Sequence, residues 1–204
     1  MKKVAVIEGG YSKEKAISIK SAKTVFDNLD RTKFSPIRVL IDENEWTAYD
    51  SQGRYPLDKN DFSFIKNRQK QILEYAFIVI HGTPGEDGKL QSYLDMVGVP
   101  YNTSSAAITA LTFQKFHCNQ FLKNFGINVP EATLIKSEDV INERQIIEKV
   151  KLPCFVKPTD GGSSFGITKV KTENELFPAI KKAFETGTEV IIEENLDGRE
   201  VTCG

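Results

Sequence analysis

Short β-branched runs that alternate with helical stripes leave this chain few folds to choose from. Residues 3–8 (KVAVIE) form the first run, and Gly9-Gly10 breaks it. Ile19, Ala22, Phe26 and Leu29 then recur at helical spacing, with Ser12 placed to cap that helix. Residues 37–41 (IRVLI) and 77–80 (FIVI) are two more runs, apolar enough for strands buried on both faces. Leu90, Tyr93, Leu94 and Val97 share one stripe of the segment 88–97. The β-α-β order argues for an α/β fold with a parallel, Rossmann-like sheet. The stretch 42–70 is polar and yields no clear elements.

A second unit is expected from about residue 104. Residues 105–125 read as helix, ended by Gly126 and Pro130. A strand (131–136), a helix (138–150), a strand (153–157), a Gly/Ser loop and a strand (166–170) follow. Thr172 and Glu175 form a capping box for a helix over 173–186. Residues 189–194 (EVIIEE) predict a strand. Asp197-Gly198 marks a turn, with Arg199–Cys203 returning as its hairpin partner. A terminal hairpin with nothing to cover it is marginal, which implies a further lobe beyond this chain.

Bulk properties exclude several classes. A net charge of −1 gives no field to recruit nucleic acid or an anionic membrane. No apolar run approaches the roughly 20 residues of a membrane span. Cysteines 118, 154 and 203 show no metal-like spacing, and an odd, scattered set suits reduced cytoplasmic thiols.

Four stretches carry chemistry. In Gly9-Gly10-Tyr11-Ser12-Lys13-Glu14, glycines after a strand allow a ligand to approach the backbone at a helix start. The bland alternative is a strand–helix turn. His81-Gly-Thr-Pro-Gly-Glu-Asp-Gly88 follows a strand's carboxyl end, where open α/β sheets bind ligands. His81 alone reads equally as a structural histidine, and His117 as packing among aromatics. Lys157, before the Gly/Ser loop of VKPTDGGSSFG, sets a cation beside backbone N–H groups able to cradle a triphosphate. No GK[ST] ends that loop, so it is no Walker motif. Glu193-Glu-Asn-Leu-Asp-Gly-Arg-Glu200 offers acids at a strand end, or simply an acidic hairpin.

Together and in order, these stretches resemble the D-alanine–D-alanine ligases of the ATP-grasp superfamily. GGYSKE, HGTPGEDGKLQ, VKPTDGGSSFG and EENLDGRE carry the resemblance across nearly the whole chain. Ser92 stands where many members have glycine, and PYNTSS (100–105) replaces a commoner Tyr-Thr-Gly-Ser. The resemblance implies an N-terminal pre-ATP-grasp domain (1–103), a central ATP-grasp subdomain (104–188) and the first hairpin of a third domain (189–204). Glu14 would hold the ammonium of the first D-alanine, and His81 would orient it. Ser163 would join the loop to Glu14. Lys115 and Lys157 would contact the ATP phosphates, covered by the backbone of Ser163, Ser164, Phe165 and Gly166. Glu193 would accept from the adenine amino group, the backbone near Glu194 and Leu196 would complete the adenine edge, and Glu200 would bind the ribose. The ligands of Mg²⁺ would lie beyond Gly204, so the 204-residue form is expected not to turn over.

The implied chemistry is physically coherent. A carboxylate is a poor acyl donor. Phosphorylation by ATP converts it to an acyl phosphate that a second amine can attack, in a site that neutralises charge and excludes water. The product would be a peptidoglycan precursor. A homodimer through the N-terminal domain is a further implication. Two alternatives stay open. One is a ligase for another pair, such as D-alanine with D-lactate or D-serine. The other is a non-catalytic nucleotide- or amino-acid-binding module.

Overall fold

The KVAVIE run becomes the strand β1 (Lys2–Gly9), buried from Val4 to Gly9 as expected of a strand covered on both faces. It pairs in parallel with β2 (Phe34–Ile41) on one side and β7 (Tyr75–Ile78) on the other. Between β1 and β2 runs α1 (Lys15–Asn28), which packs on both strands. The computed structural model describes residues 1–160 and 166–201. The chain divides into two units, Met1–Ala110 and Leu111–Gly204.

In the first unit the Rossmann-like β-α-β start is as expected, but the sheet is mixed. The unassigned stretch forms an antiparallel meander: β3 (Trp46–Asp50), β4 (Gly53–Asp58), β5 (Ser63–Lys66) and β6 (Gln69–Ile72). The strand order is β6-β5-β4-β3-β2-β1-β7. The meander donates Ala48, Leu57, Phe62 and Phe64 to the core that holds Ala5, Ile7, Val39 and Ile41. α2 (Lys89–Met96) buries Leu90 and Leu94 in that same core. Val4 and Val6, two-residue alternates of Ala5 and Ile7, are buried outside it, on the face that α1 covers.

The second unit is a four-stranded antiparallel sheet in the order β10-β9-β11-β8. Its strands are β8 (Ala132–Lys136), β9 (Cys154–Pro158), β10 (Thr168–Val170) and β11 (Glu189–Glu194). Two amphipathic helices, α5 (Glu143–Val150) and α6 (Leu176–Phe184), close one face over Cys154, Val156, Val190 and Ile192. The Thr172/Glu175 capping box is present, ahead of a single 3₁₀ turn that leads into α6.

Several expectations need correction. Ser12 does not cap α1: the N-cap is Glu14, and the Ser12 hydroxyl donates to the His81 carbonyl at 2.7 Å. The 105–125 helix is two helices, α3 (Ala106–Phe113) and α4 (Lys115–Lys123), separated by Gln114 in an extended conformation. Thr159 holds the break open, its carbonyl accepting from the Lys115 amide at 3.0 Å. α5 starts at Glu143, not 138, because Lys136 and Asp139 close a turn upon themselves and Asn142 caps the helix. Arg199–Val201 form no return strand. Both edges of β11 are occupied, by β8 and β9, so a returning segment finds no free ladder there. Residues 202–203 of that expected strand lie outside the described residues. His117 is exposed rather than packed, since α4 buries no residue fully; its ring meets Phe116 edge-on.

Candidate functional site

Two loops of the first unit meet at the carboxyl ends of the neighbouring parallel strands β1 and β7. The loop after β1 runs through Gly9–Glu14, and the loop after β7 through Val79–Gly88. Tyr11 N donates to the Thr83 carbonyl at 2.9 Å, and the Ser12–His81 bond ties the same pair of loops. Ser12 Oγ also accepts from the Glu14 amide at 3.2 Å. The two motifs that the sequence set about 70 positions apart thus form one surface.

The glycines of the first motif serve a different purpose from the one expected. A Cβ at Gly9 would stand 2.4 Å from the Ile41 carbonyl oxygen, and one at Gly10 would stand 2.6 Å from Ile80 Cγ2. The chain itself, not a ligand, makes the close approach there. Glu14 is the group left facing the second loop: its Oε2 lies 4.0 Å from where a Gly82 side chain would begin. His81 stands beside Gly82 with a buried Nε2 that finds no hydrogen-bond partner among the described residues. A buried imidazole nitrogen without a partner is costly, and a bound polar ligand would satisfy it. Farther round the loop, Gln91 donates to the Gly85 carbonyl at 2.7 Å and to Thr103 Oγ1 at 2.9 Å. The glutamine of this motif therefore braces the loop from inside.

Gly82 is the tightest point. Its φ is +73°, and an added Cβ would lie 2.8 Å from Ser12 Cβ. Gly82→Ala should cost about 1–3 kcal/mol through backbone strain and displaced Ser12. Thermal unfolding reads that loss. A variant that melts with the parent would show that the loops slide apart freely.

In the second unit the charged groups stand on the sheet face opposite α5 and α6. Lys157 on β9 is opposite Ile191 on β11, which is in turn opposite Leu134 on β8. Glu193 lies diagonally across, and its carboxylate is ion-paired with Lys157; both side chains are largely buried. Lys115, at the first position of α4, belongs to the same electrostatic group. Burial pulls its pKa below the usual lysine value, the Lys157 charge pulls it further, and Asp160 and Glu193 pull it back. Asp160 carried no expectation from sequence, although it sits inside the quoted loop three positions after Lys157.

The remaining expected residues are scattered more widely. Glu194 is engaged with Glu131: its carboxylate accepts from the Glu131 amide at 2.9 Å, and its own amide donates to the Glu131 carbonyl at 3.0 Å. Leu196 and Glu200 lie on an exposed irregular segment. Gly166 has a φ of +74° and packs on Thr186 and Pro158. Ser163, Ser164 and Phe165 lie outside the described residues. Among the described residues no three His, Cys, Asp or Glu side chains gather as a metal site, so no step here is assigned to Mg²⁺. No helix among them is long and apolar enough to cross a membrane.

Family models decide what this arrangement belongs to. Residues 3–104 match the D-ala D-ala ligase N-terminus and residues 121–204 the D-ala D-ala ligase C-terminus. The chain belongs to the D-alanine–D-alanine ligase family. A family member from Phocaeicola vulgatus, D-alanine–D-alanine ligase, is 44% identical over 202 residues, covering 98% of this chain and 62% of its own length. Among solved structures, the VanG D-Ala:D-Ser ligase from Enterococcus faecalis superposes with a TM-score of 0.83 at 35% identity. That match covers 97% of this chain and 63% of the other. D-alanine–D-alanine ligase from Bacillus anthracis complexed with ATP matches at a TM-score of 0.76 and 26% identity, over 97% of this chain and 61% of that one. The chain thus spans about three-fifths of the length of the D-alanine–D-alanine ligases it matches.

Proposed function

We propose that this chain supplies the nucleotide site and the first amino-acid site of an ATP-dependent ligase that joins two D-alanines into a cell-wall precursor. The observation that carries the reading is the face of the second unit's sheet. Two lysines and two acids share one partly buried electrostatic group above an apolar row of Leu134 and Ile191. Such a face suits a flat base beside a polyphosphate. Lys115 and Lys157 would bind the phosphates, with Ser163, Ser164, Phe165 and Gly166 covering them. Glu193 would accept from the adenine amino group, Glu194 and Leu196 would border the base, and Glu200 would take the ribose. In the first unit Glu14 would bind the ammonium of the first D-alanine. His81, with its unsatisfied Nε2, would orient that substrate.

ATP bound there would donate its terminal phosphoryl group to the first carboxylate, making an acyl phosphate. Attack by the second amine then forms the C–N bond and expels phosphate. The cations stabilise charge that moves onto the transferring oxygens. Mg²⁺ would act with ligands outside the described residues. Such a reaction belongs in the cytoplasm, where ATP is available, and pairing of two copies through the first unit would be compatible with it. A second reading is favoured by one comparison: the VanG structure is a D-Ala:D-Ser ligase, so D-serine is the alternative second substrate.

Two experiments test the proposal. Calorimetry of this chain with a non-hydrolysable ATP analogue should show binding. A chimera carrying the Phocaeicola vulgatus relative's segment beyond position 204 should release phosphate from ATP when D-alanine is added, and not with L-alanine. D-serine as second substrate distinguishes the two ligase readings. Phosphate release indifferent to D-alanine would sink both, and tight analogue binding without any turnover would favour a binding module.

A further inference from the structure

Asp160 is an acid placed at some cost. Its Oδ1 is buried and has no hydrogen-bond partner among the described residues. A Cβ at Gly187 would come within 3.2 Å of that oxygen, so the neighbouring turn leaves room for it. The preceding residue fixes where Asp160 stands. Thr159 is 1% exposed; its amide donates to the Glu189 carbonyl at 3.0 Å, and its carbonyl accepts from Lys115 N. The end of β9 is thereby fastened to the start of α4, the residue that bears the site's first lysine. A buried carboxylate oxygen without a donor is destabilising unless its charge has a use.

We propose that Asp160 is a positioning residue whose carboxylate keeps the Lys115 ammonium charged and held toward the nucleotide phosphates. The proposal rests on the nucleotide reading above for its purpose, though not for its geometry. Three charged groups face Lys115: Lys157 from β9, Glu193 from β11 and Asp160 from the loop after β9. Glu193 is already paired with Lys157, which leaves Asp160 as the acid without another cation bonded to it among the described residues. Lys115 is a lysine pulled below its ordinary range, so its charge is lost as pH rises through that lowered value. Removing Asp160 takes away an influence that raises it. The charge, and the grip on an anion with it, should then be lost at a lower pH.

The test reads Lys115 directly. Lysine side-chain NMR titration of the ligand-free chain, with the Lys115 signal assigned by its loss in Lys115→Arg, gives the midpoint. Asp160→Asn should lower it; an unchanged or higher midpoint overturns the proposal, whatever the ligand is. If Asp160→Asn fails to fold, Asp160→Ala removes the acid without an amide to fit beside Gly187. A second arm follows binding of the ATP analogue from about pH 7 to about 9.5. Asp160→Asn should bind about 3–10-fold more weakly than the parent at the alkaline end, with a smaller difference at neutral pH. In a Lys115→Arg background the pH dependence should vanish, because guanidinium stays charged. Equal weakening at every pH in both backgrounds would reduce Asp160 to a structural role and overturn the proposal. A parent chain that binds no analogue while the NMR midpoint still falls would refute the nucleotide reading and leave the Asp160–Lys115 coupling standing.

Discussion

An Arg38→Met variant is expected to lose about 3–5 kcal/mol of stability, the range for breaking one partner out of a buried ion pair. Glu8 is 1% exposed in the central strand β1. Arg38, one strand over on β2, donates to its Oε2 from Nε at 2.9 Å and from Nη2, and Nη2 also reaches the Ile19 carbonyl at 3.3 Å. Tyr49 on β3 donates its hydroxyl to the other oxygen, Oε1. Burial, then that bond to Glu8, pushes the Tyr49 hydroxyl well above its usual pKa, so it stays a donor. One carboxylate thereby ties together β1, β2, β3 and the middle of α1. Methionine fills much of the arginine's volume but leaves the Glu8 charge with a single neutral donor. Urea denaturation measures the loss. The double variant Glu8→Gln/Arg38→Met should recover a large part of it, since the penalty belongs to the orphaned charge rather than to the missing contact. A loss below about 1 kcal/mol in Arg38→Met would mean that water reaches Glu8 and the network is not sealed.

This network also shows where sequence reading stopped. Glu8 looked like an interruption of an apolar run, because nothing in a linear pattern says that Arg38 and Tyr49 will lie beside it. The strands that read clearly, β1, β2 and β11, are those whose apolar residues are contiguous. The meander β3–β6 was illegible because its strands are four to six residues long and bury one face. A signal was nevertheless present. Asp42, Asp50 and Asp58 stand eight residues apart, and each carboxylate accepts from the amide two residues on, at 3.4, 2.8 and 3.0 Å. Aspartates that close their own turns at strand-length intervals spell out a meander. The break at Gln114 had no such mark. It depends on Thr159, 45 positions later, capturing the amide that a continuous helix would have used.

The site was legible in its motifs and not in its couplings. The first two motifs meet through Ser12 and His81, as a strand-end location for both predicts. What the sequence misassigned was the job of Gly9 and Gly10, since a glycine that admits a ligand and one that admits a neighbouring strand look identical on paper. Lys157 and Glu193 were each singled out, yet their pairing follows from strand register, which places them diagonally on one face. Asp160 went unnoticed because an acid in a polar loop is ordinary until its burial is known.

Lys157→Met should separate the chemistry of that face from the stability of the fold. Lys157 points away from the core of Cys154, Val156, Val190 and Ile192, so unit 2 should remain folded. Two electrostatic effects then oppose each other. Loss of a charge-assisted bond to a phosphate is worth about 1.5–3 kcal/mol, or about 10–150-fold in Kd. Glu193 is meanwhile left as a poorly solvated anion beside an anionic ligand, which weakens binding further. Against this, Lys115 is freed from the repulsion of Lys157, so its pKa moves back up and its charge is held more firmly. The first pair of effects should win, because Lys115 gains no new contact. Calorimetry with the ATP analogue should show at least tenfold weaker binding, and Lys157→Met/Glu193→Gln should bind more tightly than the single variant by relieving the orphaned acid. Undiminished affinity in Lys157→Met would place the polyphosphate somewhere else on the molecule.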